Sequence, residues 1–253
     1  MRRDEISLQL YTVRDHTAQD MEGTLRQLAQ IGYTAVEFAG FGGLSAVELR
    51  RILDELGMRA SGAHIPLDAW EAAPELVLGD VRDLGASHAT VPIIFPERRP
   101  HAEAVYRLCQ SFNQWGDLCR AEGITFSYHN HDFEFAPFDE TTLWDVLVNE
   151  TDPELVHLEL DLYWVRYGGQ DPEAMLRELG DRISLVHLKD MAPDDGRSDL
   201  PVGEGDMPWP RLLQAAGDAG VDWYIVEQDN PGDAMDDVTT SLRNLEQLAD
   251  DGG

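Results

Sequence analysis

The run from Phe126 to Phe135, FSYHNHDFEF, closes an apolar stretch with His129, Asn130 and His131, then adds Asp132 and Glu134. Imidazoles and carboxylates this close together supply the nitrogen and oxygen donors a divalent cation takes, and the acid/base groups that move protons. Other stretches share the character: Glu37 in AVEFAG, His64 in SGAHIPL, Glu159 and Asp161 in LELDLYW, His187 with Lys189 and Asp190 in VHLKD, and Glu227 with Asp229 in IVEQD. Each time the polar residues stand at the C-terminal end of a short apolar run. Side chains alternate faces along a strand, so His157, Glu159 and Asp161 share a face that excludes Leu158 and Leu160. The same count puts Ile183, Leu185 and His187 on one inward face, and Trp223, Ile225 and Glu227 on another. Asp161, His187 and Glu227 then converge. Mixed imidazole and carboxylate donors suit a borderline divalent ion, and one ion (Mn2+, Co2+, Zn2+ or Mg2+) is expected there. His157 and Glu159, deeper in their strand, read as structural. Tyr163 and Trp164 read either as core or as a hydrophobic wall at the mouth.

Lys189 is the only lysine in the chain. A composition that excludes lysine elsewhere implies that a compact ammonium, which arginine's planar fork does not imitate, is wanted at that place.

These runs must be held by regular elements, and one pattern recurs: an amphipathic helix, a Gly that ends it, then a short apolar strand, as in LRQLAQIG-YTAVEF and GDLCRAEG-ITFSYHN. Helices fall near residues 20–31, 46–56, 70–84, 101–122, 141–149, 171–179, 208–219 and 235–249. Eight strand–helix alternations predict an α/β fold with a parallel sheet closed into a (β/α)8 TIM barrel, one domain over residues 1–253. The active site of such a barrel lies at the C-terminal ends of its strands. No G-x-G-x-x-G follows the first strand, which counts against a doubly wound dinucleotide fold.

Composition narrows the function classes. The chain carries 48 Asp and Glu against 19 Lys and Arg, a formal net charge of −29. Long-range repulsion at that charge excludes nucleic acid and anionic membranes as partners. Salt screening would make it tolerable, which predicts a halophilic, salt-rich setting. No apolar run approaches the roughly 20 residues that span a bilayer, and MRRDEISLQL lacks a signal-peptide core, so a cytoplasmic protein is expected. Cys109 and Cys119 stand ten residues apart in one expected helix, about 15 Å, and read as inert thiols.

The pieces SLQLYTVRD, GYTAVEFAG, YHNHDFEF, LELDLYWVRYGGQDP, VHLKDM, PVGEGDMPWP and YIVEQD run nearly the whole chain, and in their order it resembles the sugar phosphate isomerase/epimerase family of the xylose isomerase-like TIM-barrel superfamily. The resemblance implies a metal held by a Glu from strand five, an Asp from strand six, a His from strand seven and a Glu from strand eight. The last three carry over to Asp161, His187 and Glu227. At strand five this chain has His129-Asn130, so the fourth ligand falls to His129, to His131, or to Glu134 reaching back. It further implies a metal-dependent isomerase or epimerase acting on a sugar, keto-sugar or polyol through an enediolate, with inosose-type dehydration on the same site as the alternative. Glu227 and Glu134 are then the acid/base candidates and Lys189 a further catalytic group. His64, Glu37, Asn130, Trp164 and Asp190 would contact a small-molecule substrate. Whether that substrate is phosphorylated and whether the chain forms homo-oligomers are left open. The rival classes are a phosphodiesterase on abasic DNA, disfavoured by the acidity, a Schiff-base aldolase using Lys189, and a non-catalytic sugar-binding module.

Overall fold

The computed structural model describes residues 1–251. Eight parallel strands close into a barrel: β1 (Ile6–Gln9), β2 (Ala35–Phe38), β3 (Arg59–His64), β4 (His88–Val91), β5 (Thr125–His129), β6 (Val156–Asp161), β7 (Ile183–Leu188) and β8 (Trp223–Val226). Each pairs with its neighbours in sequence, and β8 returns to β1 with Ile6 opposite Tyr224 and Leu8 opposite Val226. Eight principal helices alternate with them: α1 (Met21–Ile31), α2 (Ala46–Leu56), α3 (Pro74–Leu84), α4 (Ala102–Ala121), α5 (Leu143–Glu150), α6 (Pro172–Leu179), α7 (Trp209–Ala219) and α8 (Ala234–Asp251). Among the described residues no helix is long and apolar enough to cross a membrane.

Local chemistry sets the boundaries. Asp20 accepts the Gly23 N–H ahead of α1, and Ser45 and Glu48 cap α2 reciprocally, satisfying donors a helix start leaves open. Gly57 ends α2 at φ 66°, a left-handed conformation that costs other residues Cβ strain. The single helix expected over 70–84 is broken. Leu67–Ala72 and Pro74–Leu84 are separate because Pro74 has no N–H to continue the ladder, and Ala73 before it is extended at φ −161°.

The core has two parts. Outward strand residues such as Leu8, Val36, Leu158 and Val186 pack with the helices in one large apolar cluster, while Ala35, Leu185, Trp223 and Ile225 form a small separate one. Ala35, Leu185 and Ile225 each precede a site residue by two positions and Trp223 lies two further back, so they plug the barrel beneath the site. Two register shifts adjust the inner faces, one between Leu158 and Glu159 against β7, one between Val36 and Glu37 against β3. The first corrects the expected parity of β7: Ile183 packs in the outer cluster, and Ser184 turns to Ser127, Oγ to Oγ 3.1 Å. A bulge adds one residue to one strand, so parity read upstream of it is inverted. His187 and Leu185 keep the inward face. Cys109 and Cys119 are buried free thiols, each pushed up to about 12 by burial.

Candidate active site

Register delivers the polar residues to one level. His129 stands opposite Glu159, Asp161 opposite His187, and Gln9 opposite Glu37. His129, Asp161, His187 and Glu227 each present a donor atom within 4.8 Å of the others, and all four are buried. Immediately beneath, His64, Glu159, His129 and His187 form a second group of the same compactness. His64 Nε2 hydrogen-bonds Glu159 Oε2 at 2.7 Å, and His187 hydrogen-bonds Glu227 through Nδ1 at 2.8 Å and Glu37 through Nε2 at 2.9 Å. Gln9 donates to Glu37 at 2.8 Å. Gly62 makes room here: a Cβ on it would stand 2.9 Å from Glu37 Oε1. Lys189 is buried with its ammonium between three carboxylates, 2.8 Å from Glu227, 2.7 Å from Asp229 and 2.9 Å from Asp161.

Burial and mutual charge split the titration of these groups. Burial, reinforced by the neighbouring Glu159, raises Glu37 to about 7, and burial raises Asp161 to about 6 against the pull of Lys189. Burial works the same way on Glu159 and Glu227, but the cations around them outweigh it and hold both well below the usual carboxylate range. His187 is the converse: burial disfavours its charge, yet Glu159 and Glu227 raise it well above an ordinary imidazole. Burial, together with the charge on His187, drives His129 down to about 3. His131 lies well below its ordinary value, through burial and then His129. Neutral imidazoles keep a lone pair free to ligate.

The donor set fits a divalent cation. Its spacing suits the coordination sphere of such an ion, its chemistry is mixed imidazole and carboxylate, and Asp161 Oδ2 is a buried oxygen whose close contact is a cation, Lys189 at 2.9 Å. A positive charge is already drawn to the same oxygens, since Lys189 stands on Asp161 Oδ2 and Glu227 Oε2.

The group opens into a cavity of about 390 Å3, walled by His64, His129, His131, Glu227 and Asp229 on its polar side. Pro66, Pro92, Ile93 and Ala39 supply apolar wall, and Tyr11 and Phe95, 42% and 53% exposed, also line it. Asp229 and the apolar wall received no role in the sequence reading. Asp229 stands two residues past the strand end Glu227, which was the available signal; the apolar wall comes from loops and left none.

Several expected site residues are placed elsewhere. Glu134 does not reach the cluster: its oxygens accept the Tyr128 hydroxyl at 2.6 Å and the His131 N–H at 2.8 Å, so it folds the loop back. His131 lines the cavity but belongs to neither donor group. Asp190 is wholly taken by the loop after it, accepting from the N–H groups of Met191, Gly203 and Met207 and from the Trp209 indole. Asn130 accepts the Asp161 N–H at 3.0 Å, tying β5 to β6. Trp164 packs over Lys189, its ring 5.6 Å from Nζ, and Glu37 lies below the cavity wall. Of the five residues expected to touch substrate, His64 alone lines the cavity. Glu159, read as structural, sits at the centre of the buried network.

The family model of the xylose isomerase-like TIM barrel matches residues 25–248. An inosose dehydratase from Geobacillus kaustophilus (strain HTA426) is 30% identical over 204 residues, which is 71% of this chain and 64% of that protein. The chain therefore matches under two thirds of that relative's length. Among solved structures, a sugar phosphate isomerase/epimerase from Parabacteroides distasonis ATCC 8503 superposes with a TM-score of 0.82 at 23% identity, covering 96% of this chain and 97% of that one. The IOLI protein with a bound zinc atom gives a TM-score of 0.77 at 12% identity, over 98% and 99%. At those identities the structural likeness is one of fold.

Proposed function

This chain belongs to the xylose isomerase-like TIM-barrel family, and on that premise we propose that it is a divalent-metal-dependent enzyme removing water from a small keto-polyol, an inosose-type dehydration. The observation that carries this reading is the four-donor group of His129, Asp161, His187 and Glu227 at the floor of a cavity of about 390 Å3. When bound, a divalent cation there would polarise a substrate carbonyl and an adjacent hydroxyl as a Lewis acid.

The chain's own residues account for the rest. Glu227 accepts from Lys189 and lies 2.8 Å from His187 Nδ1, and these cations hold it well below the usual carboxylate range, so it serves as a ligand and is a poor proton acceptor. The carbon-bound proton falls to Asp229, the cavity carboxylate outside the four-donor group. Lys189 pairs with both carboxylates, but at Asp229 burial outweighs that pull and raises the carboxyl above its usual range, so Asp229 is the better proton acceptor of the two. His64, on the cavity wall with Nε2 on Glu159, would protonate the hydroxyl that leaves from the neighbouring carbon. Isomerisation or epimerisation through Glu227 and Glu134 draws no support from the geometry, because Glu134 is turned into its own loop. The relative named inosose dehydratase supports the dehydration.

The test is incubation of the protein with Mn2+, Co2+ or Zn2+ and an inosose in D2O, followed by 1H NMR and by ultraviolet absorbance of the conjugated product. Water loss that stops on addition of EDTA is expected. Deuterium exchange with every hydroxyl retained would turn the reading to isomerase or epimerase, and binding with neither exchange nor water loss would make it a sugar-binding module.

A further inference from the structure

The imidazoles of His129 and His187 face two ways. On the side of the four-donor group, His129 Nε2 lies 3.9 Å from Asp161 Oδ2 and His187 Nδ1 lies 2.8 Å from Glu227 Oε2. The opposite nitrogens both face Glu159: His129 Nδ1 is 3.5 Å from its Oε2, and His187 Nε2 is 3.2 Å from its Oε1. Glu159 is fully buried, and its Oε1 and His129 Nδ1 are buried atoms without a hydrogen-bond partner. A neutral imidazole that gives one nitrogen to a cation carries its proton on the other, and the acceptor of that N–H fixes the ring. Leaving such an N–H unpaired in the interior costs about 1–3 kcal/mol.

We propose that Glu159 is the positioning residue of this site: one buried carboxylate that accepts an N–H from each of two ligating rings and so makes His129 Nε2 and His187 Nδ1 the nitrogen ligands. This rests on the metal-site reading above. Glu37, 2.9 Å from His187 Nε2, is a second acceptor for that ring alone, so His129 depends on Glu159 more than His187 does. β6 thereby supplies one ligand, Asp161, and two residues earlier the group that orients two others. Burial leaves no bulk water to replace the carboxylate.

Two measurements test it. In 15N-histidine-labelled protein loaded with Zn2+, NMR should find the metal on His129 Nε2 and His187 Nδ1, with protons on His129 Nδ1 and His187 Nε2. Metal on either opposite nitrogen overturns the inference. Glu159→Gln presents an acceptor to one ring and amide hydrogens to the other, so Co2+ affinity should fall by about ten- to a hundredfold and the visible Co2+ spectrum should change. Glu134→Gln, which removes a buried carboxylate facing away from the cluster, should alter neither. Wild type that binds Co2+ alongside a Glu159→Gln variant of equal affinity and spectrum refutes the role of Glu159 alone. Wild type that takes up neither ion removes the metal reading and this inference together.

Discussion

At the scale of single residues, the site is a balance between burial and charge pairing. Four carboxylates, Glu37, Glu159, Asp161 and Glu227, are at most 4% exposed. Unpaired, each would cost several kcal/mol of desolvation, and Lys189, His187 and His64 are what keep them inside. Glu134 lacks such a cation in hydrogen-bond contact, and its titration should show it. Burial raises it from an ordinary 4.5 to about 7, against the opposing hydrogen bonds from Tyr128 and His131. Between those values the folded protein keeps a proton the unfolded chain has lost. Stability contributed by the protonated group is therefore complete below pH 4.5 and lost as pH rises through 7. At about 1.4 kcal/mol per pH unit the loss is on the order of 3 kcal/mol. Urea midpoints at pH 4.5 and pH 8 should fall more steeply for wild type than for Glu134→Gln, and parallel profiles would refute the assignment.

At the scale of elements, strand ends present the chemistry while loops decide what surrounds it. The segment Val202–Trp209 folds around one carboxylate, since Asp190 accepts from Gly203, Met207 and the Trp209 indole as well as from Met191. Gly205 lets the chain pass: a Cβ there would meet Met191 O at 2.3 Å. Replacing Asp190 with Ala strands four donors, each worth about 1–3 kcal/mol when buried. The loop should then open locally, because the barrel ladder does not depend on it. Limited proteolysis should cut Asp190→Ala within residues 192–208 well before wild type, and equal protease resistance would show that other contacts hold the loop.

At the scale of the whole molecule, 48 acidic groups against 19 basic ones leave the surface repelling itself. Helical pairs such as Arg50–Asp54 at 2.8 Å and Arg107–Glu103 at 3.1 Å are exposed and worth about 0.3–0.5 kcal/mol each. Salt weakens these pairs and the repulsion alike. With acids in such excess the repulsion dominates, so screening should stabilise. As KCl rises from 0.1 M to 1 M the screening length falls from about 10 Å to about 3 Å, and the urea midpoint should climb. A midpoint that stays level or drops in KCl would mean the acids are too far apart to repel.

What the chain alone determined is what depends on period and spacing. Strand–helix alternation with closing glycines was enough for the barrel, because a buried parallel strand and an amphipathic helix have distinct patterns. Alternation of faces was enough to turn Asp161, His187 and Glu227 inward. Tertiary structure decided everything that depends on height along the barrel and on loop direction. Parity says which face a side chain takes, but the register between strands sets which residues share a level, and that register shifts at Glu37 and at Glu159. Glu159 thus became the centre of the network, though its depth in the strand suggested a merely structural place. The loop residues Glu134 and Asp190 turned from the site because donors of their own loops, the His131 N–H for one and the Met207 N–H and Trp209 indole for the other, claimed their oxygens; the fold of an irregular loop leaves no period in the sequence to read.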